Sequence, residues 1–433
     1  MSPETSQKNL YPAGNTGKGR FFYGWVVAVA GMIILFAHSS GNSSFGVFLK
    51  PLVDDLDASR ASLSGAVSAR FLMIGLLASL AGIACDKFGP RKVMLVSTFL
   101  CGLGYFLLST TSALWQVYLY LGFLVGTGGS AFYTSVVATV ARWFGTKSTR
   151  AMAVVTIGYS LGAIITPPLA SYILTSYGWE AAFMALGFLI VFLCPLALIW
   201  LHPVPHESII PPQFDSSLSL ESTAVSTDDA ASGADGLSLK EAVNTSAFWF
   251  IFGIFALHAL SHQMLMTHLV ANATDAGLEV TEAAFTLTCI GFSSLAGRLL
   301  VGILAYRFDS KSMLAFSLLI TVPALLWLIV AKETWEFYII STIFGLGSGA
   351  MTPLIPNITT VYFGNRVIGS LVGVQVFAYS VGVIIGPVLA GYVFDVTLSY
   401  SWAFAIAAMT MVTGFLFALI LRPPQRVNST NAA

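Results

Sequence analysis

The sequence predicts an all-α membrane protein: twelve transmembrane helices in two pseudo-symmetric six-helix bundles, with both termini cytoplasmic. Three observations predict it. Hydrophobic residues make up 56% of the 433 and charged residues only 9%, against about 25% charged in a soluble domain. A soluble surface needs more polar covering than this, so the surplus must face lipid. The chain also supplies twelve apolar runs, each near the roughly 20 residues that cross about 30 Å of hydrocarbon. Finally, the second half repeats the first at a nearly constant offset.

Residues 1–21 form a polar cytoplasmic tail without an apolar core, so they do not read as a cleavable signal peptide, and the first span directs insertion. The N-terminal bundle, 22–201, carries spans at 22–49, 62–84, 92–110, 114–140, 151–175 and 179–201. Residues 202–246 break the pattern. They are rich in Ser, Asp, Ala and Pro and poor in aromatic residues, cannot bury a core, and read as a cytoplasmic linker. The C-terminal bundle, 247–421, carries spans at 247–270, 283–304, 312–331, 335–361, 368–393 and 400–421, and residues 422–433 form a cytoplasmic tail. Basic residues set the orientation. Of the 20 Lys and Arg, fifteen fall on the cytoplasmic side of this scheme: Lys8, Lys18, Arg20, Lys87, Arg91, Lys92, Arg142, Lys147, Arg150, Lys240, Arg307, Lys311, Arg366, Arg422 and Arg426. Lys50, Arg60 and Lys332 fall outside, and Arg70 and Arg298 fall within spans.

The net charge of zero gives nucleic-acid binding no electrostatic support. Cys85, Cys101, Cys194 and Cys289 lie scattered in apolar runs and read as small core residues. No metal-ligand spacing, phosphate loop or nucleophile motif occurs, so neither cofactor nor metal nor enzymatic chemistry is expected.

The repeat is explicit. Tyr159 to Pro167 reads YSLGAIITP, and Tyr379 to Pro387 reads YSVGVIIGP, 220 positions later. Gly82-x-x-x-Asp86-Lys87-Phe88 matches Gly302-x-x-x-Tyr306-Arg307-Phe308 at the same offset, and Trp143-Phe144-Gly145 matches Tyr362-Phe363-Gly364 at 219. Trp25 and Trp249 open spans 1 and 7 at an offset of 224. Parallel halves of this kind frame a site near the membrane midplane between them.

Gly82-x-x-x-Asp86-Lys87-Phe88-Gly89-Pro90-Arg91-Lys92 resembles the loop 2–3 signature of the major facilitator superfamily, and Gly158-x-x-x-Gly162 with Pro167-Pro168 resembles its Gly/Pro-rich fifth helix. Tyr23-Gly24-Trp25-Val26-Val27, the Trp143 to Gly162 stretch, Thr267 to Gly277 and Gly297-Arg298-Leu299 resemble the monocarboxylate-porter and oxalate–formate-antiporter-like branch. The resemblance implies alternating-access transport of a small organic anion, with gating by Gly82, Asp86, Arg91 and Lys92. The bilayer and the organic acid are the implied partners, with protons as a possible third. A monomer is the expected working unit and the inner or plasma membrane the expected location.

A charge within hydrocarbon costs about 2.5–3.5 kcal/mol or more. Arg298 stands eight residues before Tyr306, about 12 Å deep, and its repeat partner is the uncharged Ala78. Two roles suit it: a structural arginine bonded to helix carbonyls, or a fork that grips a carboxylate through two hydrogen bonds. The resemblance implies the second. Arg70, 16 residues before Asp86, is expected to reach the outer interface by snorkelling. Relatives that handle oxalate carry a Lys where Tyr379 stands; one deep cation suits a monoanion, and Tyr379 can donate a hydrogen bond. Tyr133, Tyr159 and Asn42 are further candidates for substrate contact.

No Asp or Glu occupies the middle of a span, and the Lys and Asp that couple protons in mammalian-type porters are matched by Ser43 and Ser294. His262 and His38, repeat partners in spans 7 and 1, are the candidates for proton coupling. The implied function is proton-linked monocarboxylate transport of the lactate or pyruvate type. Carboxylate exchange and export of a neutral solute are the alternatives.

Overall fold

In the computed structural model the described residues are 22–144, 148–201, 237, 239–305, 307–364 and 368–422. The regular structure among them is helical. Span 1 is Gly24–Asp55, span 2 Arg60–Phe88 and span 3 Pro90–Leu108. Span 5 is Ser148–Tyr177, span 6 Trp179–Trp200, span 7 Ser246–Asp275 and span 8 Val280–Leu304. Span 9 is Ser310–Leu328, span 10 Thr334–Phe363, span 11 Ile368–Thr397 and span 12 Ser401–Ile420. Span 4 is composite: α-helical over Leu114–Val117, π-helical over Tyr118–Val125 and α-helical again over Gly126–Phe144. Among the described residues, eleven single helices are long and apolar enough to cross a bilayer. The twelfth expected span is this interrupted one.

Several helices outrun the apolar runs that reveal them, because backbone hydrogen bonding continues past the hydrocarbon edge until a cap or a turn stops it. Span 2 starts at Arg60, where the Ser59 side chain accepts from the Ser62 N–H. It ends at Gly89, whose φ of 84° suits glycine; Pro90 then opens span 3, where its missing N–H costs nothing. Most of the 202–246 segment lies outside the described residues. Its last part forms a short helix, Leu239–Val243, preceded by a Leu237 N–H bonded to the Phe363 carbonyl.

Each half is built on one close helix pair. A Cβ on Gly158 would sit 2.2 Å from the Met32 carbonyl oxygen, and one on Gly162 2.7 Å from Ser39 Cβ, so span 5 packs on span 1 backbone to backbone. The repeat does the same: a Cβ on Gly382 would sit 2.2 Å from the Ala256 oxygen, and one on Gly386 2.4 Å from the Leu260 oxygen. Small residues allow this approach in a bilayer, where close packing replaces the hydrophobic drive between helices.

The halves join along spans 2 and 11 and along spans 5 and 8, with spans 1 and 7 adjoining. Their contact is strongest at the face away from Gly24 and Ile420, here termed the far face. There Asp275 pairs with Arg60 at 2.6 Å and with Lys50 at 2.9 Å. Asp395 accepts from the Arg60 and Ala61 N–H groups at 3.0 and 2.9 Å, capping span 2 from the opposite half. The Arg60 guanidinium also donates to the Tyr400 hydroxyl at 2.7 Å and lies 3.7 Å over the Phe394 ring. His268 shares hydrogen bonds with Tyr400 at 3.0 Å and with Ser64, across the halves, at 3.1 Å. Further in, Ser68 donates to the Ile384 carbonyl at 2.6 Å and Thr288 to that of Ile164 at 2.8 Å. Toward the opposite end, Gly82 and Gly302 have nothing within 4 Å of a built Cβ. The side-chain bonds that join the halves thus concentrate at the far face.

Candidate functional site

Gly297 sets the position of Arg298. A Cβ there would meet the Leu346 oxygen at 2.2 Å, so span 8 presses on span 10 and turns the next residue toward span 5. Arg298 Nη1 donates to Ser160 Oγ at 3.3 Å, linking the two halves, while its Nε is buried without a hydrogen-bond partner. That guanidinium keeps donor capacity in hand, since Arg carries five N–H groups in one plane.

The tyrosines stand round it. Tyr379 lies within electrostatic reach of Arg298 and of Tyr159, and its ring packs 5.3 Å from Phe255. Tyr159 sits 6.3 Å from Tyr133, which is 47% exposed. His262 also lies within reach of Arg298; its Nδ1 shares a 2.8 Å hydrogen bond with Ser348 Oγ, and its ring stacks 6.0 Å from Phe344. Behind it His258 stacks at 5.7 Å. Arg298, Tyr379, Tyr159, Tyr133 and His262 therefore form one group, with Ser160 as an addition that sequence reasoning missed.

Two candidates fall elsewhere. Asn42 turns away from this group and accepts a hydrogen bond from Arg70 Nη2. His38 forms the partition: it stacks on Phe132 at 5.1 Å, stands edge-on to Tyr159 at 6.1 Å and lines the cavity that holds Arg70. The expected snorkelling of Arg70 is corrected here, because the side chain is only 3% exposed and points into the N-terminal half. Span 2 begins at Arg60, so Arg70 lies ten residues, about 15 Å, inside the helix end. Of the gating candidates, Gly82 borders open space, Arg91 is half-buried and Lys92 exposed, and the Asp86 side chain lies outside the described ones.

The far-face cluster was also missed as a unit. Its signal was available: Lys50 and Arg60 end their spans in one half at the depth where Asp275 and Asp395 end theirs in the other.

The sequence profile described as Major Facilitator Superfamily matches residues 31–271 and 251–433. Monocarboxylate transporter 13 of Rattus norvegicus is 26% identical over 394 residues, covering 90% of this chain and 87% of that protein. Monocarboxylate transporter 2 of Homo sapiens is 23% identical over 438 residues, covering 97% and 88%. A crystal structure of a bacterial homolog to the human lysosomal transporter Spinster, inward-facing and unoccupied, superposes with a TM-score of 0.69 at 14% identity, covering 93% of this chain and 96% of that one. That structural likeness concerns the fold.

Proposed function

This chain belongs to the Major Facilitator Superfamily, in its monocarboxylate porter branch, and we propose that it carries a monocarboxylate of the lactate or pyruvate type by alternating access, together with a proton. One observation carries the reading: Arg298 stands between the halves with an unpartnered Nε and no carboxylate bonded to it among the described residues. A bound carboxylate satisfies both the charge and the spare donors through two parallel N–H···O bonds. The Tyr379, Tyr159 and Tyr133 hydroxyls supply additional donors, and the one guanidinium of this group matches a single negative charge. Because Ser160 and Arg298 come from opposite halves, substrate on Arg298 competes with a contact that ties the halves together. Binding energy is thereby coupled to the rocking motion, which is the requirement for a ligand to shift a conformational equilibrium.

His262 is the proposed proton carrier beside Arg298, with His38 as its repeat partner. In this reading both chain ends and the 202–246 linker are cytoplasmic, the 1–21 and 422–433 tails flank the bundles of 22–201 and 247–421, the protein works as a monomer in the cell membrane, and the described state opens inward. Gly82, Asp86, Arg91 and Lys92 then act as the cytoplasmic latch of the opposite state. The test is uptake of a panel of radiolabelled acids into proteoliposomes by wild type and Arg298→Gln. Wild type is expected to accumulate a monocarboxylate faster under an inward proton gradient, and the variant to reach the membrane without uptake. Uptake that requires acid on the far side would replace symport by carboxylate exchange. Full uptake by the variant would leave a carrier of neutral solutes.

A further inference from the structure

Arg70 brings a second positive charge into the N-terminal half, away from the proposed substrate group. Asn42 Oδ1 accepts a hydrogen bond from it, Tyr105 lines the same cavity, and the Phe71 ring lies 4.9 Å from the guanidinium carbon. Its Nε is buried without a partner. The two ion pairs among the described residues, Lys50–Asp275 and Arg60–Asp275, do not involve it. Asn42 and Tyr105 contribute dipoles but no formal negative charge. A buried, hydrogen-bonded cation without a counter-charge is among the most unfavourable arrangements in a protein interior.

The guanidinium opens on a cavity of about 30 Å³. His38, Asn42, Cys101, Tyr105 and Phe132 line it with Arg70, and no Asp or Glu is among its walls. That volume accommodates about two waters or one halide, and is too small for a three-carbon acid. The irregular fourth span is shaped round the same residue. Val125, which ends the π-helical stretch, lines the cavity. A Cβ on the adjoining Gly126 would meet the Arg70 carbonyl oxygen at 2.9 Å, and one on Gly122 would sit 4.0 Å from the Arg70 nitrogen. π-Helical turns are rare and are frequently found at functional sites.

We infer that this cavity is a binding site for one small inorganic monoanion of halide size, held by Arg70 with Asn42 and Tyr105 and screened from the central chamber by His38. The anion neutralises Arg70 and completes the polar junction of spans 1, 2 and 3. It is distinct from the carboxylate at Arg298, and the inference stands whether or not that reading holds.

The test uses the purified full-length protein and follows thermal unfolding at constant ionic strength in sodium gluconate, chloride or bromide. Chloride and bromide, but not the bulky gluconate, are expected to raise the melting temperature by about 2 °C or more in wild type. Arg298→Gln keeps that response. Arg70→Gln loses it. Asn42→Asp places an internal carboxylate on Arg70 and is expected to melt at one temperature in all three salts. If Arg70→Gln does not fold, Asn42→Asp and Arg298→Gln carry the comparison alone. Identical wild-type melts in the three salts would overturn the site, as would a halide response that Asn42→Asp retains in full or that Arg298→Gln abolishes.

Discussion

Arg298 and Arg70 both carry charge into the bilayer, yet their neighbours give them different work. Arg298 meets Ser160 across the interface between the halves, whereas Arg70 turns inward to Asn42. If Arg298 grips a carboxylate with two parallel bonds, Arg298→Lys keeps the charge but loses the fork. A charge-assisted hydrogen bond is worth about 1.5–3 kcal/mol, so the apparent affinity for the acid should fall by about tenfold to a hundredfold, as read from concentration-dependent uptake. His262→Gln should leave binding of the acid in place while uptake stops responding to a pH gradient; gradient-driven uptake that persists would move the proton elsewhere. The contrast between the arginines also explains what the sequence made legible. Counting residues gives depth along a helix, and depth singled out Arg298. Azimuth about the helix axis depends on which neighbours pack where, and no count supplies it. Hence Arg70 was assigned to the outer interface, Asn42 was grouped with the wrong arginine, and Ser160 was overlooked.

The internal repeat was readable because its glycines do one steric job twice. Gly162 and Gly382, 220 positions apart, each let a helix press on its neighbour's backbone or Cβ. Gly162→Val or Gly382→Val must wedge those pairs apart. Overpacking of this kind costs about 1–3 kcal/mol, which should appear as a lower melting temperature and lower yield of folded protein. Caps were less legible, since Ser, Thr and Asp near a span end are common. Asp309 accepts from the Ser312 N–H at 3.1 Å, and hydrogen bonding to Ser312 holds its carboxyl below the usual aspartate range. The sign follows: a depressed folded value means the stabilisation is present above the ordinary aspartate pKa and is lost as pH falls through the folded one. Asp309→Ala should cost about 1 kcal/mol at neutral pH and nothing in strong acid, as measured by unfolding. The π-helical stretch of span 4 gave no sign in the apolar pattern, because Tyr118 to Val125 is apolar on every side.

The two halves meet along spans 2 and 11 and along spans 5 and 8. The far face is held by Lys50, Arg60, Asp275, Asp395 and Tyr400, and Arg60 is only 7% exposed. Removing one partner of a buried charge costs more than the pair contributes, so Asp275→Asn or Asp395→Asn should weaken the seal and populate the state open on that face. Spin labels at Asp54 and Glu279, exposed in opposite halves beside the far-face cavity of about 610 Å³, should then show a longer distance component; an unchanged distribution would deny the cluster a gating role. The Arg298 guanidinium, which meets Ser160 across the halves, should select its ligand by negative charge. Calorimetric titration of the purified protein with a small hydroxy acid and with its uncharged amide tests this without requiring transport. Wild type should bind the acid and not the amide, and Arg298→Gln should bind neither. Equal binding of acid and amide, or undiminished binding of the acid by Arg298→Gln, would contradict it.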